Sequence, residues 1–254
     1  MLGRGKSDLW RIRPLMTDAQ YLGGADGQKA VPSFFCRAGG PLTKTSCFSY
    51  GAKLMNQHLF DELLAMKQRD ADTRSRLVRE GRLYDGYAEE MQQVHRENAH
   101  RLNEVISQHG WPTISLVGLE GCRAAWLIAQ HSICTPDLQR RFLALVTEAA
   151  ENGEVPKAQV AFLIDRIRFN ENKPQMYGTV LNWNDQGELS CVVEDPVNLD
   201  ARRRDMGLPA TQDDDLAVHR KEVESEGGKP PRDFAEAKRK RLEWAKSVGW
   251  IREK

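Results

Sequence analysis

Three ionisable residues, His95, His131 and Asp165, interrupt stretches whose neighbours are apolar, and together they carry the inventory of acid–base catalysis. Imidazole titrates near neutral pH and a carboxylate can orient or charge it, so two histidines and an aspartate supply an acid, a base and an orienting group. His95 flanks a helical stripe through Met91, Val94 and Leu102, and Asn98, three residues on, faces the same side. His100 is rotated about 140° from His95 and is expected to face solvent. Gln130 and His131 end the apolar run Ala124 to Ile128, and Asp165 with Arg166 breaks the run Val160 to Ile167. Gln175, Tyr177 and Thr179 surround Gly178 a few residues later. A buried polar group costs free energy unless it finds a partner, so their coincidence with predicted core faces is the main signal of a shared site. In that site His95, His131 and Asp165 are the catalytic candidates, and Asn98, Gln130, Arg166, Gln175 and Tyr177 the substrate-binding ones.

Other readings of the same residues stay open. His95, His131 and Asp165 would also supply a two-His, one-carboxylate triad, but no HExxH or i,i+4 His pair supports a metal, and none is assigned. His131 and Cys134 form an HxxC pair with Cys122 nearby, yet a second zinc knuckle is missing. Asp165–Arg166 reads equally as a structural ion pair, Gln130 as a helix-end cap, and Arg202 to Arg204 as a solvated helix start. No GxGxxG, P-loop, GxSxG or EF-hand spacing occurs, so the nucleotide-fold and serine-hydrolase readings drop out and no cofactor is named.

The elements that must position these groups are helical. Leu59, Leu63, Met66 and Leu77 recur at helical spacing, predicting a long amphipathic helix over residues 56–80 stopped by Gly81. Asp85 opens a second, ending near His109-Gly110, and after the Trp111-Pro112 turn an almost wholly apolar core helix spans about 121–133. Thr135 with Pro136 starts a fourth, to Asn152-Gly153, and Pro156 a fifth, to about Phe169. Beyond Pro174 the period shifts toward 2, and Tyr177–Trp183, a turn at Asn184 to Gly187, and Glu188–Val193 predict a β-hairpin. Two charged helices, roughly 213–226 and 233–247, follow, anchored by Phe234, Leu242, Trp244 and Trp250. The expected fold is mainly α: an orthogonal bundle of about five core helices with one small β-hairpin and two C-terminal outer helices.

Composition sets the organisation and the partners. The chain has 254 residues, 37 Lys plus Arg against 36 Asp plus Glu, and 40% apolar residues. Residues 1–54 are rich in turn clusters and poor in periodicity, which suggests a disordered or loosely packed extension, with Met55 as an alternative initiator. Residues 55–210 are expected to form the helical core domain and 211–254 the helices that pack on it. A formal charge of +1 gives no broad field for phosphates, so nucleic acid is not an expected partner, and no run approaches the ~18 apolar residues of a membrane span. Five cysteines without a CxxC pair suit free thiols in a reducing, cytoplasmic setting. Two functions are consistent with this: a hydrolase or lyase acting on a small polar molecule, or a non-catalytic interaction module with a buried polar network, whose outer helices or Trp111 and Trp250 region bind a protein partner.

The segments Tyr84-Asp85-Gly86-Tyr87, His95-Arg96-Glu97-Asn98, His109-Gly110-Trp111-Pro112 and Ala125-Trp126-Leu127-Ile128 with Gln130-His131 stand in order along the chain. Asp165-Arg166, Gln175-Met176-Tyr177-Gly178-Thr179, Glu194-Asp195-Pro196 and Arg203 to Leu208 continue the series. Together they resemble the bacterial family called domain of unknown function 6624, over about residues 56–251. The resemblance implies a soluble or exported helical domain and carries over no catalytic residue. Lys173 and Val180 stand where the family pattern often has Gly and Gln.

Overall fold

The computed structural model describes residues 55–83, 87–209, 221, 223 and 229–252. The expected extension over residues 1–54 lies outside this set, as does nearly all of the helix expected over 213–226. Among the described residues the fold is mainly helical, with seven helices and one two-stranded antiparallel hairpin. Five long helices come first: α1 (Gln57–Arg79), α2 (Glu89–His109), α3 (Ile114–His131), α4 (Pro136–Glu151) and α5 (Lys157–Asn170). The hairpin strands β1 (Asn182–Trp183) and β2 (Leu189–Ser190), a short α6 (Leu199–Asp205) and α7 (Phe234–Ser247) complete it.

Apolar periodicity decides which faces meet. On α1, Leu59, Leu63, Met66 and Leu77 are buried, and α1 packs chiefly against α3, while α4 packs against α5. On α2 the buried face runs through Met91, Val94, Leu102, Val105 and Ile106, as the spacing predicts, and His100 is exposed. Ala124, Ala125 and Ala129 of α3 are fully buried, which lets neighbouring helices approach a core completed by Phe142, Phe162 and Leu163.

The boundaries differ from the sequence reading where side chains cap or break a helix. α3 begins seven residues before the expected Gly121, because Thr113 Oγ1 accepts the Leu116 amide as N-cap, and Gly118 then interrupts the helix at φ 70°. Thr135 precedes Pro136 as expected but does not cap α4: its hydroxyl donates to the Ser132 carbonyl. The hairpin is shorter than the alternation suggests, with Asn182 opposite Ser190 and Trp183 opposite Leu189. Asn184 closes its turn, its side-chain oxygen accepting the amides of Gln186 and Glu188 while Gly187 takes φ 78°. Residues 175–180 are not strand; they wrap around a buried carboxylate described below.

The C-terminal segment is tied to the core by polar contacts. The Trp250 indole N–H donates to the Ile133 carbonyl at 2.8 Å, and Arg241 reaches the Phe169 carbonyl and Asn172. Trp111 and Trp250 are 6% and 3% exposed, so both rings are packing anchors and present little surface of their own. The Arg202 to Arg204 run is likewise not a solvated helix start, because Arg203 is fully buried and donates to the carbonyls of Tyr177 and Pro209.

Candidate functional site

Asp70 is the centre of the site, and it stands inside the apolar stripe of α1, seven residues from both Leu63 and Leu77. That position turns it toward α2 and α3 among buried side chains. His131, the last residue of α3, meets it with Nδ1 2.6 Å from Asp70 Oδ2. His95, on the buried face of α2, brings Nε2 to 3.2 Å from the same oxygen. The two imidazole rings lie 4.9 Å apart between centroids. Side-chain exposure rises across the cluster, from 4% at Asp70 to 9% at His95 and 15% at His131, so His131 is its open edge.

The contact with His131 is a hydrogen bond and the contact with His95 is not. His95 Nε2 is buried and makes no hydrogen bond, despite its proximity to the carboxylate. The other ring nitrogen, Nδ1, is hydrogen-bonded to the Tyr87 hydroxyl. Tyr87 precedes α2, its carbonyl accepts from the Gln92 amide at 2.8 Å, and its ring packs edge-on against Trp244 of α7. The same hydroxyl interacts with the Cys134 thiol just beyond α3. Arg166 of α5 is 1% exposed and close enough to His95 and Tyr87 to act on both electrostatically.

Burial and pairing compete at each group. Burial pushes the Asp70 carboxyl up, but the charge and hydrogen bond of His131, and then the close approach of the His95 imidazole, outweigh it and hold it well below the usual range. Burial lowers the His95 imidazole, Asp70 opposes that, and the positive charges of His131 and Arg166 add to it; the net shift is down, toward the neutral ring. Burial raises the Tyr87 hydroxyl well above its ordinary value, and the neighbouring Cys134 adds to this. Burial also raises the Cys134 thiol, against the Tyr87 hydrogen bond. The Arg166 guanidinium is pulled down by burial to about 9 and remains protonated at neutral pH.

The site therefore contains two of the three expected catalytic residues, with Asp70 in the place assigned to Asp165. Asp165 is buried elsewhere: its oxygens accept the amides of Met176, Tyr177 and Thr179 and the Thr179 hydroxyl, at 2.7 to 3.2 Å. It ties residues 176–179 to α5, so it orients a loop and neither imidazole. Burial raises its pKa while those donors oppose the rise. Of the expected binding residues, Arg166 borders the cluster and the others brace the frame. Asn98 donates to the Met66 carbonyl at 3.2 Å and joins α2 to α1, while Gln130 donates to the Phe162 carbonyl at 3.3 Å and joins α3 to α5. Gln175 closes on both main-chain groups of Val180, at 2.7 and 2.9 Å. Tyr177 is held by its backbone, with its ring half-buried.

Sequence reasoning missed Asp70 and Tyr87. The signal for Asp70 was present: a lone carboxylate at the one stripe position of α1 where an apolar residue was due. Tyr87 has no signal in the sequence beyond its place in the Tyr84-Asp85-Gly86-Tyr87 segment, and only its hydroxyl's partner gives it a chemical place.

One N or O atom from each of Asp70, His95 and His131 lies within 4.8 Å of the others, the only such set of three metal-ligating residue types among the described residues. Cys122 is not part of it, its thiol lying 3.8 Å from the Glu154 carbonyl. An open cleft between the hairpin and α7, lined by Trp183, Phe234 and Arg241, contains neither imidazole. No helix of the described residues is long and apolar enough to cross a membrane. No curated protein and no solved structure matches the chain. Residues 57–219, which carry α1 to α6 and with them Asp70, His95 and His131, match one family model, and the chain belongs to the family of unknown function DUF6624.

Proposed function

We propose that the chain is an enzyme, a hydrolase or lyase acting on a small polar molecule, with the Asp70–His131 pair as its acid–base centre. The observation that carries this reading is the 2.6 Å hydrogen bond from His131 Nδ1 to a buried carboxylate, at the one edge of the cluster that is open. A carboxylate held there fixes the tautomer with the proton on Nδ1, leaves Nε2 as the basic atom, and stabilises the imidazolium once that atom takes a proton. His131 Nε2 makes no hydrogen bond to a described residue, so it is free to take a proton from water or from a substrate. His95 and Tyr87 hold the far side of Asp70, and the Arg166 guanidinium offers charge for an anionic or strongly polar substrate group. In this reading Asn98, Gln130, Gln175 and Asp165 position the helices and the loop, and make no contact with substrate.

The test is consumption of compounds from a panel of small polar metabolites, esters, amides and phosphate esters, followed by mass spectrometry. The wild-type chain is compared with His131→Gln, whose fold is checked by circular dichroism. A compound consumed by the wild type and spared by the folded variant supports the reading. A His131→Gln chain that unfolds would assign the cluster to the interior framework instead, the role it would have in a non-catalytic interaction module.

A further inference from the structure

We infer that Asp70, His95 and His131 form a zinc site, and that the ion and the acid–base use of His131 exclude each other. The inference rests on the proposed reading of this cluster as the reaction centre and adds a regulator to it.

Three observations converge. The donor set is two imidazole nitrogens and one carboxylate oxygen, which suits Zn2+ with one coordination position left open. The three donors lie within 4.8 Å of one another, and ligands about 2.0–2.2 Å from a tetrahedral zinc stand roughly 3.3–3.6 Å apart, so only small side-chain adjustments bring them around one ion. The third observation is His95 Nε2, buried and without a hydrogen bond, 3.2 Å from a carboxylate oxygen. If Nδ1 donates to Tyr87, a nitrogen lone pair faces a carboxylate lone pair. If Tyr87 donates instead, the Nε2 proton lies outside hydrogen-bonding geometry. A cation between Nε2 and Asp70 removes the conflict in the first tautomer, and the bond from Nδ1 to Tyr87 is the outer contact that fixes a ligating imidazole.

The Asp70–His131 separation of 2.6 Å is that of a hydrogen bond, shorter than the edge between two zinc ligands. The Asp70–His131 hydrogen bond and the ligation of one ion by both groups are therefore alternative arrangements of the cluster. On zinc binding His131 Nδ1 gives up its proton to take the ion, the neutral ring carries its proton on Nε2, and the basic lone pair needed for catalysis disappears. No redox change is involved; the Nδ1 proton passes to Nε2, or to solvent where the ring starts as imidazolium, and a hydroxide at the open position forms by loss of one proton from bound water to solvent. Arg166 adds positive charge beside the loaded site, so its open position favours hydroxide or an anion.

The test is equilibrium binding of Zn2+ to the full-length chain stripped with chelator, by isothermal titration calorimetry, together with the visible absorption of its Co2+ complex. One ion per chain is expected, displaceable by chelator, with the intense d–d bands of a tetrahedral site. Binding should be lost in Asp70→Asn and His131→Gln, fall about 10–100-fold in Tyr87→Phe, and persist in His100→Gln on the exposed face of α2. Absence of binding to the wild type, or binding that survives in Asp70→Asn and His131→Gln, would overturn the zinc site and leave the acid–base reading standing. Zinc bound as expected to a chain that consumes no compound would retain the site and remove the enzyme. The Co2+ spectrum is read on the wild type, so it decides the matter even if a variant fails to fold.

Discussion

Asp70 on α1 and His131 at the end of α3 are 61 residues apart in sequence and 2.6 Å apart in space. Their bond crosses the heaviest helix packing in the fold, that of α1 against α3, so the surfaces that form the core also set the distance between carboxylate and imidazole. Few elements need to be precise for the site to exist. A third helix, α2, adds His95, and the residues just before it add Tyr87.

Tyr87→Phe tests whether the outer contact matters to the chemistry. The ring and its packing on Trp244 are kept and only the hydroxyl is removed, so stability should fall by about 0.5–1.5 kcal/mol in urea unfolding. Substrate consumption should fall more steeply, about 10–100-fold, because His95 loses the partner that holds its ring. A loss of stability with no loss of consumption would make Tyr87 a packing residue.

Asp165→Ala should do the reverse. It orphans three amides and a hydroxyl at a buried or half-buried position, each worth about 1–3 kcal/mol, so a loss of roughly 4 kcal/mol or more is expected in urea unfolding. Zinc stoichiometry, measured on the folded fraction, should not change. If zinc binding disappears while the fold is intact, Asp165 reaches the site in a way its hydrogen bonds do not show.

The helices were largely legible from periodicity, because each buries a stripe of apolar side chains repeating every three or four residues. The site was legible only in part, for two physical reasons. His95 and His131 stood out as polar groups beside apolar stripes, but the same test selects any buried polar residue, and Asn98, Gln130, Gln175 and Asp165 each bond to main-chain groups away from the imidazoles. Asp70 was passed over because a helix stripe tolerates one gap, and which partner fills that gap depends on how α1 packs on α3. The hairpin was overestimated because alternation over 177–183 arises equally in a loop wound around a carboxylate.

Trp250→Ala tests the C-terminal tether. The indole is 3% exposed, donates to Ile133 two residues beyond His131, and lies against Arg140. Removing a buried tryptophan should cost about 3–5 kcal/mol, seen as an earlier melting transition. Because α7 also carries Trp244 against Tyr87, zinc affinity should weaken along with stability. An unchanged melting temperature would show that the segment after α7 is dispensable to the core.

The most direct test of the account is Asp70→Asn, which preserves shape and removes the shared charge. The variant should fold cooperatively, with a stability loss of about 1–3 kcal/mol, and should neither consume the compound identified for the wild type nor bind Zn2+. Undiminished consumption by a folded Asp70→Asn chain would contradict the claim that this carboxylate organises the reaction centre.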